Sequence, residues 1–318
     1  MPVTDKTYIF DGHSDLLNEV LPMREQGERR VLVSRFIPKL LSSKIGAVAL
    51  GIWVESAFRA DSFSALERLT QYLSILAAEL KESREIALVT HYNDYERGML
   101  EGRFLLVLSV EGLDGIGTNL DLLHMLHHYG VRMASLTWND DNTLASGCGS
   151  DRDYGVTTLG KKALKIMDEL GIIVDAAHAS PKSFWDIIES FERTVLISHG
   201  NAYALCRHRR NFTDDQLKAV AERNGLIGLS AVKEFLKENG QASTEDLIRH
   251  IDYVTNLVGI EHVALGLDID YHENGRSTLS LDEVSSLEKG LSEAGYSKAE
   301  AEAILHGNWE RLLKNALS

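Results

Sequence analysis

Eight short apolar runs that alternate with helix-like segments constrain the fold of this chain more than any other feature. The runs are rich in Val, Ile, Leu and Ala and occupy 8–11, 47–54, 104–110, 131–137, 172–177, 195–198, 225–230 and 262–267. Nearly continuous apolar strands are typical of a parallel sheet that is buried on both faces. A ninth apolar run, 86–90, predicts a short extra strand outside this set.

The segments between the runs carry signals that begin and end helices. Apolar residues recur at helical spacing from 62 to about 81, and Gly171 ends a helix that begins near Leu159. Capping-box residues or a Ser-Pro pair begin further helices, at 180–181, 213–216, 243–246 and 297–300. The acidic segment 277–318 predicts two or three closing helices. Strands and helices in this alternation predict an α/β protein, a (β/α)8 barrel of the TIM type.

The sequence contains no signal that divides the chain into separate domains. Its 318 residues include no Pro- or Ser-rich linker, no repeat and no low-complexity tract. The sequence GLDGIG at 112–117 follows a strand, but its spacing differs from the GxGxxG of dinucleotide-binding folds. We therefore expect one domain over 1–318.

Composition excludes several classes of partner and compartment. The formal net charge of −14, with no extended basic patch, argues against binding to nucleic acid or to an anionic membrane. Two cysteines, Cys148 and Cys206, are too few for a disulfide framework. The N-terminal segment 1–8 lacks the features of a secretory signal, and no apolar run approaches the roughly 20 residues of a membrane span. We expect a cytoplasmic protein.

Metal-ligating and acidic residues follow five of the apolar runs. They are His13 and Asp15, Glu111, His178, His199 and Asp268. The C-terminal ends of the strands of a parallel barrel meet at one rim, so these side chains are expected to lie together. Histidines and carboxylates clustered in this way build a hydrolytic metal centre.

Each of these residues also has a structural interpretation when it is taken alone. A buried histidine can bond a backbone carbonyl, an aspartate can cap a helix, and Glu111 could emerge at the solvent end of its strand. The coincidence of all of them at one rim favours the metal. Asp268 would lie beside the first strand, where a carboxylate can accept and return a proton, although Asp270 is a rival for that role.

With these residues in place, the chain resembles the membrane dipeptidase (renal dipeptidase) family, a zinc-dependent branch of the amidohydrolase-like barrels, as a soluble bacterial-type member. The matching stretches span nearly the whole chain. They are DGHSDLL (11–17), VEG (110–112), DAAHAS (175–180), SHGNAYALCRHRRNFTDDQL (198–217), GLDID (266–270) and ILHGNWERLL (304–313).

The resemblance implies two Zn²⁺ per chain. His13, Asp15 and Glu111 would hold the first zinc, and Glu111 would bridge to a second zinc that His178 and His199 complete.

The resemblance also implies roles for two residues around the metals. Asp268 matches the catalytic acid and base. Arg210 matches the residue that binds the terminal carboxylate of the substrate, for which its planar fork of donors is suited. The structural alternative for Arg210 is a surface ion pair with Asp214 or Asp215.

The chain departs from the family after the fourth strand. The family often has a histidine in an LTH motif there, which stabilises the developing oxyanion, whereas this chain reads Leu136-Thr137-Trp138. An indole has one donor and no cationic form. We expect Trp138 and Asn142 to contact the substrate, with Trp138 as a pocket wall, and the oxyanion role to fall to Asn139, Asn142 or a zinc.

The resemblance thus implies a dinuclear zinc dipeptidase that cleaves dipeptides by attack of metal-bound hydroxide. The family tolerates varied side chains, often with a D-residue at the C-terminal position, and a homodimer is its habit. Two alternatives stay open: a zinc hydrolase of another amide or ester, such as an N-acyl amino acid or a lactone, and a barrel that has lost catalysis and serves binding. The intact set of ligands disfavours the second alternative.

Overall fold

The computed structural model describes residues 8–271 and 277–318. Residues 1–7, which carry most of the segment read for a secretory signal, lie outside the described residues. The strands are β1 Ile9–Ser14, β2 Ile45–Trp53, β3 Ile86–Leu88, β4 Phe104–Glu111, β5 Val131–Ser135, β6 Ile173–Asp175, β7 Val195–Leu196, β8 Ile227–Leu229 and β9 Val263–Leu265.

The α-helices are α1 Leu16–Glu25, α2 Ile37–Ser42, α3 Ser62–Glu82, α4 Tyr92–Leu100, α5 Leu122–His128, α6 Thr158–Leu170, α7 Pro181–Ser190, α8 Asp214–Glu222, α9 Lys233–Leu236, α10 Thr244–Val258, α11 Leu281–Ser285, α12 Leu287–Glu293, α13 Lys298–Glu302 and α14 Asn308–Leu317. Short 3₁₀ segments lie at Ser56–Phe58, Asp114–Ile116 and Ile260–His262, and π-helical turns lie at Leu32–Phe36 and Ala303–Gly307. None of the helices in the described ranges combines the length and the apolar character of a transmembrane span.

The strands form parallel sheets in the order that a barrel requires. Six strands are neighbours in the order β1-β2-β4-β5-β6-β7, and β8 pairs with β9. The short strand β3 pairs with the N-terminal half of β4, as Ile86 opposite Phe104 shows. The ninth apolar run is therefore the extra strand that the sequence predicts.

Backbone hydrogen bonds connect these two sheets into a closed barrel. On one side Ile197 N–H donates to Leu226 O at 2.9 Å, and Gly228 N–H donates to Ile197 O at 2.7 Å. On the other side Asp268 N–H donates to His13 O at 3.2 Å. The eight strands β1, β2 and β4–β9 thus form the (β/α)8 barrel that was predicted.

Two apolar clusters explain why the strands are apolar on both faces. The first fills the barrel with alternate strand residues, among them Phe10, Ala47, Val107, Met133, Leu196 and Ala264. The second lies between the strands and the helices and takes the intervening residues, among them Ile9, Val48, Leu106, Val174 and Ile197. Side chains alternate between the faces of a strand, so each run supplies both clusters.

Helix α14 contributes a tryptophan to the inner cluster, at the junction of β1 and β9. The Trp309 ring stacks on Phe10 with centroids 5.1 Å apart, and its indole N–H donates to Leu265 O at 2.9 Å. A Cβ atom at Gly12 would overlap this indole and lie 2.8 Å from the Leu265 carbonyl oxygen. Glycine at 12 therefore makes room for the tryptophan that closes this junction.

The predicted helix ends are confirmed, whereas several strands are shorter than predicted. Thr213, Ser243 and Ser297 each open a helix with a capping box. The segment 277–318 contains the four helices α11–α14 where two or three were predicted, because Ser286 and the π-helical turn at Ala303–Gly307 divide longer helical stretches. The apolar runs at 172–177 and 262–267 continue past the ends of β6 and β9. The regular ladder stops early there because the backbone turns into left-handed conformations, with φ 65° at His178 and φ 55° at Asp268.

Candidate metal centre and active site

The structure brings all the predicted metal-ligating residues to the C-terminal rim of the barrel. His13 lies in β1, and Asp15 is the N-cap of α1. Glu111 is the last residue of β4, while His178 and His199 lie in the loops after β6 and β7. Four of the five are buried, and Asp15 is partly exposed.

One oxygen of Glu111 lies at the centre of the cluster. Its Oε1 lies 2.6 Å from His178 Nε2, 3.3 Å from His199 Nε2 and 3.5 Å from His13 Nε2. The Nε2 atoms of His178 and His199 lie 2.9 Å apart. The carboxylate of Glu111 therefore faces histidines on both sides of the cluster.

Two further carboxylates surround His13. Its Nε2 lies 3.3 Å from Asp15 Oδ1 and 3.9 Å from Asp268 Oδ1. Gly51 of β2 lies beneath the first pair, since a Cβ atom there would be 3.0 Å from His13 Cε1 and 3.2 Å from Asp15 Oδ1. The rival Asp270 instead accepts a hydrogen bond from the Ser277 hydroxyl at 2.6 Å.

Neighbouring polar groups fix which nitrogen of each histidine faces the centre. His178 Nδ1 lies 2.8 Å from Asn139 Oδ1, an acceptor, so Nδ1 carries the proton and Nε2 is left with its lone pair. His199 Nδ1 bonds the Ser198 hydroxyl at 2.9 Å, and its Nε2 also faces Glu111. Both imidazoles are oriented as metal ligands.

Burial makes the charges of this cluster costly without a cation. Burial raises the pKa of Glu111 to about 8. Burial lowers the pKa of His13, but the neighbouring charges of Glu111, Asp15 and Asp268 outweigh it and raise that pKa well above its usual value. The carboxylates that raise the pKa of His13 would favour a divalent cation in the same place.

The other two histidines of the cluster are in the neutral state that suits metal binding. Burial, and then the positive charges of Arg210 and His13, lower the pKa of His178 and of His199 well below the usual value, so both are neutral at pH 7. Burial, with the charge of Asp15, raises the pKa of Asp268.

Unsatisfied polar atoms test whether these residues fit a metal. His13 Nε2 and Asp15 Oδ1 are both buried, and neither has a hydrogen-bond partner among the described residues. Within the described residues two groups have ligand atoms close enough to share an ion: His13, Glu111 and His199, and His13, Asp15 and Asp268. Buried polar atoms without partners are uncommon, and imidazole and carboxylate ligands suit zinc. The residues fit a metal centre.

Arg210 lies against this cluster. The residue is 5% exposed, and its Nη2 donates to His178 Nε2 at 3.0 Å. The guanidinium also lies over the Phe235 ring, 5.5 Å from the centroid. Asp214 accepts from the Tyr253 hydroxyl at 2.9 Å instead of pairing with Arg210. Arg210 is therefore buried against the cluster and does not lie at the surface, where the structural alternative places it.

A cavity of about 520 Å³ opens above the cluster. Its lining includes Glu111, His178, Asp268, Arg210, Trp53, Trp138, Asn139 and Phe235. The volume suits a small ligand that spans the distance between the guanidinium and the carboxylates.

Trp138 forms part of the cavity wall. Its ring stacks near His178 with centroids 5.8 Å apart and lies 5.2 Å from Trp53. The Arg59 guanidinium lies over it, 4.6 Å from the centroid, and pairs with Asp140 at 2.9 Å. Packing on three sides holds the indole in one orientation.

The comparisons with known proteins agree on one family. The model of the membrane dipeptidase family, peptidase family M19, matches residues 1–317. The chain belongs to this family. The dipeptidase aclJ of Aspergillus oryzae is 31% identical over 292 residues, which cover 87% of this chain and 68% of the relative.

Two solved structures share the fold. The metallopeptidase of family M19 described as dipeptidase AC has a TM-score of 0.89 at 24% identity, over 98% of this chain and 99% of that chain. A metallopeptidase from Rhodobacter sphaeroides, bound to a phosphinate mimic of the dipeptide L-Ala-D-Ala, has a TM-score of 0.89 at 23% identity, over 98% and 100% of the two chains. Membership of the M19 family makes the chain a metal-dependent dipeptidase.

Asn142, which the sequence predicts to contact the substrate, makes hydrogen bonds within its own loop. Asn142 donates to Leu136 O at 2.7 Å and accepts from Leu144 N–H at 2.8 Å, so its amide holds the loop after β5 together. Asn142 is not in the lining of the cavity, whereas Asn139 is. The geometry therefore gives no support to Asn142 as a substrate contact.

Sequence reasoning missed two residues that pack around this site. Phe235 and Arg59 were not singled out, although one lies beneath Arg210 and the other over Trp138. An aromatic or basic residue in a loop has no local pattern that marks it, so only the structure could find these contacts.

Proposed function

We propose that this M19 enzyme is a dinuclear zinc dipeptidase that hydrolyses the peptide bond of dipeptides with water as the nucleophile. The observation that carries the proposal is the position of Glu111, whose Oε1 lies within 2.6–3.5 Å of the Nε2 atoms of three histidines from three strand ends. A carboxylate shared in this way is suited to two metals.

The side chains divide into two sets around Glu111. His13 and Asp15 would hold one zinc ion, and His178 and His199 would hold the other. Bound zinc ions would polarise the scissile carbonyl and lower the pKa of the attacking water towards neutrality. The buried and neutral state of His178 and His199 supports this assignment, because neither must lose a proton to bind a cation.

Asp268 would act as general base and then as general acid. Its Oδ1 lies 3.9 Å from His13 Nε2, so the carboxylate faces the same space as the proposed ligands of the first metal. It would take the proton that the attacking water loses and pass it to the leaving amine. Burial raises the pKa of Asp268, which makes the proton easier to hold between these steps.

Arg210 would bind the terminal carboxylate of the dipeptide. A guanidinium can hold a carboxylate through two parallel hydrogen bonds, and Phe235 beneath it restricts its movement. Because Arg210 Nη2 lies 3.0 Å from His178 Nε2, a carboxylate held there would lie beside the ligand cluster. The neighbouring amide would then reach the centre, which favours substrates as short as a dipeptide.

The tryptophan at position 138 favours one alternative function, the hydrolysis of a substrate other than a dipeptide. An indole at the rim cannot supply the positive charge of an imidazolium. A lactone, whose alkoxide is a better leaving group than the amine of an amide, would need less help at the developing oxyanion.

A substrate panel distinguishes these functions. The enzyme would be depleted of metal with a chelator, reconstituted with zinc, and assayed on L-Ala-L-Ala, L-Ala-D-Ala, the matching dipeptide amides, N-acetylalanine and a lactone. We expect zinc-dependent cleavage of the dipeptides and little cleavage of their amides. Faster turnover of the lactone or of N-acetylalanine than of any dipeptide would contradict the proposal.

A further inference from the structure

Two buried aspartates outside the set of ligands make the same pattern of hydrogen bonds. Asp11 Oδ1 accepts from His13 N–H at 3.2 Å and from Leu267 N–H at 2.6 Å. Asp175 Oδ1 accepts from Ala177 N–H at 2.9 Å and from Ser198 N–H at 2.9 Å. Each aspartate thus bonds the residue two positions ahead in its own segment and one residue just beyond the end of the adjacent strand.

The bonded backbone groups are next to the proposed catalytic and metal-binding residues. Asp11 accepts from the backbone amide of His13 itself and from that of Leu267, the residue before Asp268. Asp175 bonds the amides of Ala177 and Ser198, which directly precede His178 and His199. One carboxylate oxygen therefore ties together each pair of neighbouring strand ends that must present side chains to one metal site.

Regular strand pairing does only part of this work at the rim, where the backbone bond from Asp268 N–H to His13 O joins one of the two pairs. The last paired residues of β6 and β7 are Asp175 and Leu196, short of both histidines. His178 and Asp268 then adopt left-handed backbone conformations, with φ 65° and φ 55°. Such conformations persist in residues other than glycine only where the surroundings hold them. The aspartate oxygens supply acceptors for amides that the ladder no longer pairs.

We propose that Asp11 and Asp175 are positioning residues of the metal centre. Asp11 sets the distance between His13 and Asp268, and Asp175 sets the distance between His178 and His199. The proposal rests on the proposed function for the identity of the ligands, but it concerns residues that contact neither metal nor substrate.

Substitutions can separate the effect of the acceptor's position from the effect of the carboxylate's charge. Asp175→Asn removes the charge but keeps an amide oxygen where Oδ1 lies. Asp175→Glu keeps the charge but moves the oxygens further along the side chain, so the two amides lose their common acceptor. Asp11→Asn and Asp11→Glu make the matching pair at the other strand junction. All four changes are small, which favours folding.

The readout is the binding of cobalt(II), measured by its visible absorption and by competition with a coloured chelator. Partners that orient metal ligands are typically worth about 10–100-fold in metal affinity. We expect Asp175→Glu to weaken one of two cobalt sites by about that factor and to change its spectrum, while Asp175→Asn stays close to the wild type. Asp11→Glu should also lower kcat, because Asp268 moves with the backbone that Asp11 holds.

Glu79 provides a matched control far from the rim. Its carboxylate is fully buried and accepts from Val31 N–H at 3.0 Å and from Leu32 N–H at 2.9 Å. It lies near the end of α3, which begins at the rim and runs away from it. Glu79→Asp misplaces both of these acceptor oxygens and the partner of the Arg24 guanidinium, so it should lower the free energy of unfolding without changing cobalt affinity.

The outcomes separate the two proposals. A wild-type enzyme that binds no cobalt would contradict the proposed function. A wild-type enzyme that binds cobalt, with Asp175→Glu binding it as tightly as Asp175→Asn, would overturn the positioning role alone. The role is also overturned if Glu79→Asp weakens cobalt binding as much as Asp175→Glu does, because general loosening of the fold would then explain the loss.

Discussion

Replacing Trp138 by phenylalanine tests whether the indole is a wall of the pocket or a donor to the oxyanion. Phenylalanine keeps a flat ring against His178 and Trp53, whose centroids lie 5.8 Å and 5.2 Å from that of Trp138. It loses the indole N–H and part of the attraction to Arg59, whose guanidinium lies 4.6 Å from the ring centroid. A desolvated cation–π contact is worth about 2 kcal/mol, and losing half of it costs about 1 kcal/mol.

That cost sets an upper bound on the kinetic effect. If all of it appeared in the transition state, about 1 kcal/mol would lower kcat/KM by about fivefold, since 1.36 kcal/mol corresponds to tenfold. Loss of an oxyanion donor instead lowers kcat by about 10²–10³-fold. The two roles therefore differ by more than an order of magnitude.

The assay compares kcat and KM for L-Ala-L-Ala in the zinc-loaded wild type, Trp138→Phe and Trp53→Phe. Trp53 is the matched control because it also lines the cavity and contacts Trp138. We expect both variants to keep most of kcat. A fall in kcat of about 10²-fold in Trp138→Phe alone would refute the reasoning and assign the oxyanion to the indole N–H.

Three further predictions follow from the same geometry. Asp268→Asn should lower kcat by about 10²–10⁴-fold with unchanged metal content, and the assignment is wrong if Asp270→Asn is the impaired variant instead. Arg210→Ala should raise KM for dipeptides and matter little for C-terminal amides, whereas equal damage to both substrates would show a structural role. Gly12→Ala should lower the free energy of unfolding in urea by about 1–3 kcal/mol, because the added methyl overlaps Trp309, and an unchanged midpoint would contradict that packing.

The fold could be predicted because each strand is buried on both faces. Residues such as Phe10 and Val48 alternate between the inside of the barrel and the helices, so the apolar runs stand out against the helical segments. The meeting of His13, Glu111 and Asp268 at one rim could also be predicted, since the C-terminal ends of parallel strands lie together.

Contacts between distant segments could not be predicted from local patterns. Asp11 bonds an amide 256 residues away, and nothing in the sequence near Asp11 indicates which strand it meets. Asn142 was predicted to contact the substrate as one of the groups that could replace the missing LTH histidine, yet its amide is equally suited to bonding its own loop. The early ends of β6 and β9 depend on the left-handed turns at His178 and Asp268, which single residue types do not reveal.

The metal content of the purified enzyme tests the central claim most directly. Elemental analysis of the wild type and of Glu111→Gln, after dialysis against zinc and removal of loosely bound metal, measures how many ions each chain holds. Because Glu111 Oε1 is shared by histidines on both sides of the cluster, the proposal predicts two zinc ions per wild-type chain and lower occupancy of both sites in Glu111→Gln. One tightly bound ion in the wild type, or two in Glu111→Gln, would contradict the bridging carboxylate.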